Sequence, residues 1–191
     1  MQQRRRSRPG AEGQEGPTPG SAADSTPEAD PHSVARAIIL RQLTSSAKSR
    51  KQLADKLAER DVPEDVAEAV LDRFEEVQLI DDAEFARMWV RSRSQTRSLA
   101  RSAIRRELAG KGIEPELAEE ALEQISADDE TEAARDLVER KLRRASVPDD
   151  AKERDKLVRR LVSMLARKGY SPSLGFSVVN DALGARRNGE A

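Results

Sequence analysis

Apolar residues recur along this chain at the three-and-four spacing of amphipathic helices, from Val34 to Val179. Val34, Ile38, Ile39 and Leu43 mark one face of a first helix. Thr44-Ser45-Ser46 interrupts it, and Ser49 is placed to cap a second helix carrying Leu53 and Leu57. Asp61-Val62-Pro63 turns into a third, with Pro63 in its first turn and Val66, Val70, Leu71 and Phe74 inward. The cycle then restarts. Asp81 or Asp82 caps a helix bearing Phe85, Met88 and Trp89, and Ser98 begins the next, with Ala103, Ile104 and Leu108 inward. Gly110 and Gly112 end that helix, Gly112 suiting a left-handed C-cap, and Glu114-Pro115 opens another. The last round starts near Asp128 with Ala133, Ala134, Leu137, Val138 and Leu142. It continues from Asp149-Asp150 to Gly169 and closes with a helix opened by Ser171-Pro172. The pattern predicts nine helices in three triplets and no strand.

The triplets are copies of one another. A shift of 51 residues superposes Leu53 on Ile104, Leu57 on Leu108, Val62 on Ile113 and Val66 on Leu117. A further shift of 57 carries Ile104 to Leu161, Leu108 to Leu165, Gly112-Ile113 to Gly169-Tyr170 and Pro115 to Pro172. Such self-similarity marks stacked units that each lean on a neighbour. The expected fold is all-α, an elongated tandem of three three-helix repeats over residues 33–80, 81–127 and 128–184. An extended surface of that kind favours binding over catalysis.

Composition trims the ends. Residues 1–32 are rich in Pro, Gly, Ser and Glu and nearly free of apolar side chains, so a disordered tail is expected there, and a second over 185–191. The opening Arg4-Arg5-Arg6-Ser7-Arg8 reads as a solvated basic start. Aromatics at 3% and charged residues at 36% suit stacked helix groups better than a globule around one centre. The absence of Cys removes disulfides and thiolate metal sites. No run reaches the roughly 18 apolar residues of a membrane span, and no signal-peptide core is visible, so a cytoplasmic protein is expected.

Candidate chemistry is sparse. His32 falls in the expected tail, and neither a phosphate-cradling glycine loop nor a nucleophile elbow is present. Gly110-Lys111-Gly112 reads as a helix end, and Asp81-Asp82 and Asp128-Asp129 as helix starts, where the dipole favours negative charge, rather than metal ligands. No catalytic residue, cofactor or metal is expected.

The net charge of −1 hides strong segregation. Between Arg87 and Arg106 stand seven arginines (Arg87, Arg91, Arg93, Arg97, Arg101, Arg105 and Arg106) and no acid, whereas Glu64–Glu84 and Glu114–Asp136 hold nine and ten acids. Guanidinium groups suit bidentate hydrogen bonding to phosphate or carboxylate, so these seven form the candidate partner- or DNA-binding patch. Under the blander reading they pair with the acidic third helices of neighbouring units, and part of the block is expected to do so. Arg140, Lys141, Arg143 and Arg144 with Arg159 and Arg160 form a second, weaker group, interleaved with acids. Trp89 reads as core.

Together the repeats, Asp81-Asp82-x-x-Phe85-Ala86, Arg91-x-Arg93, Ile104-x-x-Glu107-Leu108-x-x-Lys111-Gly112-Ile113 and Lys168-Gly169-Tyr170 resemble the RecX family, bacterial regulators of the RecA recombinase. The resemblance spans about Ser33 to Leu183. It departs at Ser98-Leu99-Ala100, where many members carry a glycine. It implies a curved tandem of three-helix units that binds the RecA–DNA nucleoprotein filament and inhibits RecA's ATPase, co-protease and strand-exchange activities, in recombination, DNA repair and the SOS response. It implies no catalysis of its own. The expected partners are that filament and DNA within it, with no membrane, and the chain is expected to be a monomer. A helical protein binding DNA independently of RecA is the alternative.

Overall fold

The computed structural model describes residues 30–144, 148 and 150–189, and among these it holds nine α-helices and no strand. The first unit comprises α1 (Pro31–Ser45), α2 (Arg50–Ala58) and α3 (Glu64–Glu76). The second comprises α4 (Asp82–Arg97), α5 (Arg101–Gly110) and α6 (Pro115–Leu122), and the third α7 (Ala127–Leu142), α8 (Ala151–Arg167) and α9 (Pro172–Gly189).

Local chemistry accounts for most of the boundaries. Ser49 and Gln52 form a reciprocal capping box, the Ser49 hydroxyl accepting from the Gln52 amide and the Gln52 side chain from the Ser49 amide. Ser126 and Asp129 do the same at α7. Asp81 and Asp150 cap α4 and α8 by accepting from the third amide onward. Gly112 and Gly169 end α5 and α8 in the left-handed region, with φ of 76° and 93°.

Each unit closes its own core. Ile39, Leu53, Leu57, Leu71 and Phe74 fill the first, and Phe85, Val90, Ile104, Leu108 and Leu122 the second. Val138, Leu142, Leu161, Leu165 and Val179 fill the third, which also takes in Ala100 from the second unit. Burying such a side chain contributes about 1.5–3 kcal/mol. Every core therefore rests on a handful of leucines with isoleucines or valines at helical spacing.

Neighbouring units meet through their second helices, which run head to tail. The Ser49 hydroxyl, the one buried polar side chain among the described residues, donates to Lys111 O at the end of α5 (2.7 Å). The Arg50 amide donates to Asp82 at the start of α4 (2.8 Å). One unit on, the Ala100 amide donates to Lys168 O at the end of α8 (3.0 Å) and the Arg101 amide to Glu130 of α7 (3.0 Å). The Ser102 hydroxyl and Gly169 O, at 2.6 Å, and the Tyr170 hydroxyl and Ser98 O, at 3.0 Å, complete that junction. Hydroxyls and an amide at one helix start thus satisfy carbonyls at the next helix end, and carboxylates of the neighbouring unit take the remaining amides.

Several boundaries differ from expectation. Ser98 does not begin α5; it ends α4 in the left-handed region (φ 47°, ψ 51°), where a glycine would be unstrained. Helix α5 starts at Arg101 after Ala100, whose side chain cannot cap, because the third unit supplies the acceptors. Pro63 sits at the N-cap of α3 rather than inside its first turn. Helix α1 begins at Pro31, so His32 lies in a helix and not in a tail. Helix α9 continues to Gly189, carrying helix into the segment expected as a tail from 185. Residues 1–29, most of the other expected tail, lie outside the described residues.

Candidate partner interface on the second unit

Helices α4 and α5 carry all seven candidate arginines, but the structure sorts them into two sets. Arg87, Arg93 and Arg105 are committed to carboxylates of their own unit. Arg87 pairs with Glu84 at 2.9 Å and lies 3.8 Å from Glu120 of α6. Arg105 makes a two-pronged pair with Glu119 of α6, Nη2 to Oε2 at 2.9 Å and Nε to Oε1. Hydrogen bonding to this guanidinium holds the Glu119 carboxyl below its usual value. Among the described residues this block makes no pair with the acidic third helices of neighbouring units: its α6 partners belong to the same unit as the arginines.

Arg93 belongs to a tighter cluster. Its Nε donates to Glu107 at 2.7 Å, and its guanidinium lies 3.8 Å from the centre of the Trp89 ring. The Trp89 indole N–H donates to the same Glu107 oxygen at 2.8 Å. Lys111 places its ammonium 4.0 Å from that ring, so two cations share one indole. Burial, and next the charge of Arg93, lower the Lys111 ammonium below the usual lysine range. Trp89 stacks on Phe85 with centroids 5.7 Å apart and packs at the edge of the second core. Lys111 was legible in sequence only as part of a helix end; that its side chain returns to cover Trp89 is a product of the fold.

Arg91, Arg97 and Arg106 are exposed and Arg101 is half-buried, and none of the four has a carboxylate partner among the described residues. Arg97 adjoins the third unit, its carbonyl accepting from Lys168 Nζ at 2.5 Å. The basic surface therefore continues across the junction. Among the described residues no group of three or more His, Cys, Asp or Glu side chains could hold a metal ion, and no helix is long and apolar enough to cross a membrane.

These features define an all-helical protein of tandem three-helix units with charged faces on a shared scaffold. Family models described as the first, second and third three-helix domains of RecX match residues 35–74, 81–122 and 128–179. The chain belongs to the RecX family. The regulatory protein RecX of Streptomyces lividans is 52% identical over 157 residues, covering 82% of this chain and 81% of that protein. That of Thermobifida fusca (strain YX) is 45% identical over 175 residues, covering 92% and 90%. Among solved structures, RecX from Lactobacillus salivarius superposes with a TM-score of 0.70 at 25% identity, over 80% of this chain and 97% of that one. The chain is thus a member of a family of regulatory proteins.

Proposed function

We propose that this chain regulates RecA by binding the RecA–DNA filament and slowing its ATPase, co-protease and strand-exchange activities. The reading rests on RecX membership together with one observation: Arg91, Arg97 and Arg106 stand exposed along α4 and α5, without carboxylate partners among the described residues. Guanidinium groups held on rigid helices offer forks to the carboxylates or phosphates of a filament. Three similar units in series can engage several copies of a repeating partner, adding modest contacts into a firm one. The protein acts by occupancy, as a cytoplasmic monomer without cofactor or catalysis. Titrating it into RecA on single-stranded DNA tests this: ATP hydrolysis falls at substoichiometric amounts, and unchanged hydrolysis across the titration sinks the reading.

The same three arginines also support direct DNA binding without RecA. A salt titration separates the two, because binding to DNA alone weakens steeply as salt rises, with a slope set by the phosphates neutralised.

A further inference from the structure

The third unit carries a surface that the second unit's arginine patch does not explain. Helices α7 and α8 leave a groove between them, made of two adjoining hollows of about 430 and 420 Å³ that share Lys141, Arg144 and Met164. Its floor is aliphatic, formed by Leu137, Leu142, Leu157, Leu161 and Met164. Its rim is cationic, with Lys141, Arg144, Arg160 and Arg167 around one hollow and Arg140 and Lys168 at the other. Among the described residues no carboxylate lines either hollow, and of these cations only Arg140 leans toward an acid, Asp136 at 3.9 Å. Read from sequence, this basic group looked diluted by acids. The fold turns the cations toward the groove and leaves the acids of α7 off its walls.

We propose that the groove between α7 and α8 is a docking site for an acidic amphipathic helix of a partner protein, seated with its aliphatic face down. The combination of floor and rim selects this occupant. A helix with leucine-type anchors at i, i+3, i+4 and i+7 fills an apolar groove, and glutamates or aspartates on its flanks meet the cationic rim. Single-stranded nucleic acid fits less well, because it gains its grip from aromatic platforms and none of the described residues lining the groove is aromatic. A second copy of this chain fits less well too, since the acidic helices α3 and α6 already bury their apolar faces in their own cores. Crowding at the rim points the same way: burial, and then Arg140 and Arg97, lower the Lys168 ammonium, a repulsion that an anion relieves.

The proposal goes beyond the RecA reading and does not depend on it, so its test contains no RecA. Fluorescence anisotropy of the full chain is measured with a labelled synthetic helical peptide that carries leucines at those four spacings and glutamates elsewhere. A scrambled peptide of the same composition and a labelled oligothymidylate serve as comparisons. The ordered peptide binds, and the scrambled one binds at least several-fold more weakly. R144E/R160E, two exposed positions away from the second unit, weakens the ordered peptide by about tenfold or more. Met164→Gln, which removes apolar floor without touching charge, weakens it as well. Three results each overturn the proposal: equal binding of both peptides, which makes the groove a charged surface only; no loss in either variant; or oligothymidylate binding that exceeds the peptide's and vanishes in R144E/R160E.

Discussion

The Ser49 hydroxyl donates a 2.7 Å hydrogen bond to the Lys111 carbonyl, so the start of the first unit's second helix closes the end of the second unit's. The bond from Ala100 N to Lys168 O repeats this one unit along. Helices α2, α5 and α8 thereby align their dipoles head to tail, each positive start facing a negative end. The repeat is held together at its helix ends, where each junction satisfies groups that both units would otherwise leave unpaired.

Ser49→Ala tests that junction directly. It removes the N-cap of α2 and the donor to Lys111 O in one change, at a site with no access to replacement water. The expected loss is about 2–3 kcal/mol by urea denaturation, against about 1 kcal/mol for an exposed cap. A loss no larger than that of Asp150→Ala at the exposed cap of α8 would show the inter-unit bond to be worth little.

Gly169 meets two demands at once. Its φ is 93°, and a Cβ there would lie 2.7 Å from the Ala103 Cβ and 2.8 Å from the Ala103 amide nitrogen, leaving neither side free to yield. Gly169→Ala is expected to cost at least about 3 kcal/mol, left-handed strain plus a forced separation of the units. Asp61 holds the equivalent turn of the first unit, with φ 56°, but is exposed. Asp61→Gly should therefore shift stability by no more than about 1 kcal/mol, measured in the same way.

Asp82 makes the first junction pH-sensitive. Burial raises its carboxyl above the ordinary value, Asp81 and Glu114 add to the rise, and the bond from the Arg50 amide and the charge of Arg50 oppose it. A raised carboxyl contributes stability that is present below its unfolded value and lost as pH climbs through the folded one. Asp82→Asn keeps an acceptor for Arg50 and has no proton to lose. Its denaturation midpoint, compared with that of the unaltered chain, should therefore gain progressively as pH rises from the ordinary aspartate value upward. Asp82→Ala, which strands the Arg50 amide, should lose about 1–2 kcal/mol throughout.

Glu107 joins Trp89 and Arg93 through one oxygen. Glu107→Ala leaves the indole N–H and the guanidinium without that partner in a half-buried site, at a cost of about 1–2 kcal/mol. Trp89 is the chain's only tryptophan, so its emission reports the site alone. A shifted emission maximum is expected in the folded variant. An unchanged spectrum would mean that Glu107 does not set the indole's surroundings.

The nine helices were legible because their signals are local: the 3.6-residue period, Ser49 three residues before Gln52, and glycines at Gly112 and Gly169. What escaped sequence reading depends on distant residues. Ser98 resembles an N-cap, yet α5 begins only where Lys168 and Glu130 of the third unit receive the amides of Ala100 and Arg101. The seven arginines read as one block because their spacing is visible, whereas Glu107 and Glu119 neutralise Arg93 and Arg105 through packing that no spacing announces, and only Arg87 pairs at helical spacing, with Glu84. The groove between α7 and α8 escaped for the same reason, since only the fold separates its cations from neighbouring acids in sequence.

That division of the arginines yields the sharpest test of the interface. R91Q/R97Q/R106Q removes exposed cations without carboxylate partners, so thermal unfolding should stay within about 0.5 kcal/mol of the parent. Each lost contact to an anionic partner is worth roughly 0.2–1 kcal/mol, and three together should raise the concentration needed for half-inhibition of RecA ATPase about tenfold. R87Q/R93Q/R105Q does the reverse. It breaks the links to Glu84, Glu107 and Glu119, lowers the unfolding temperature and frees carboxylates, but leaves the exposed forks in place. Its effect on inhibition, measured below its own unfolding transition, should be the smaller of the two. Equal losses from both triple variants would mean that total charge governs binding, and the distinction between paired and unpaired arginines would carry no functional weight.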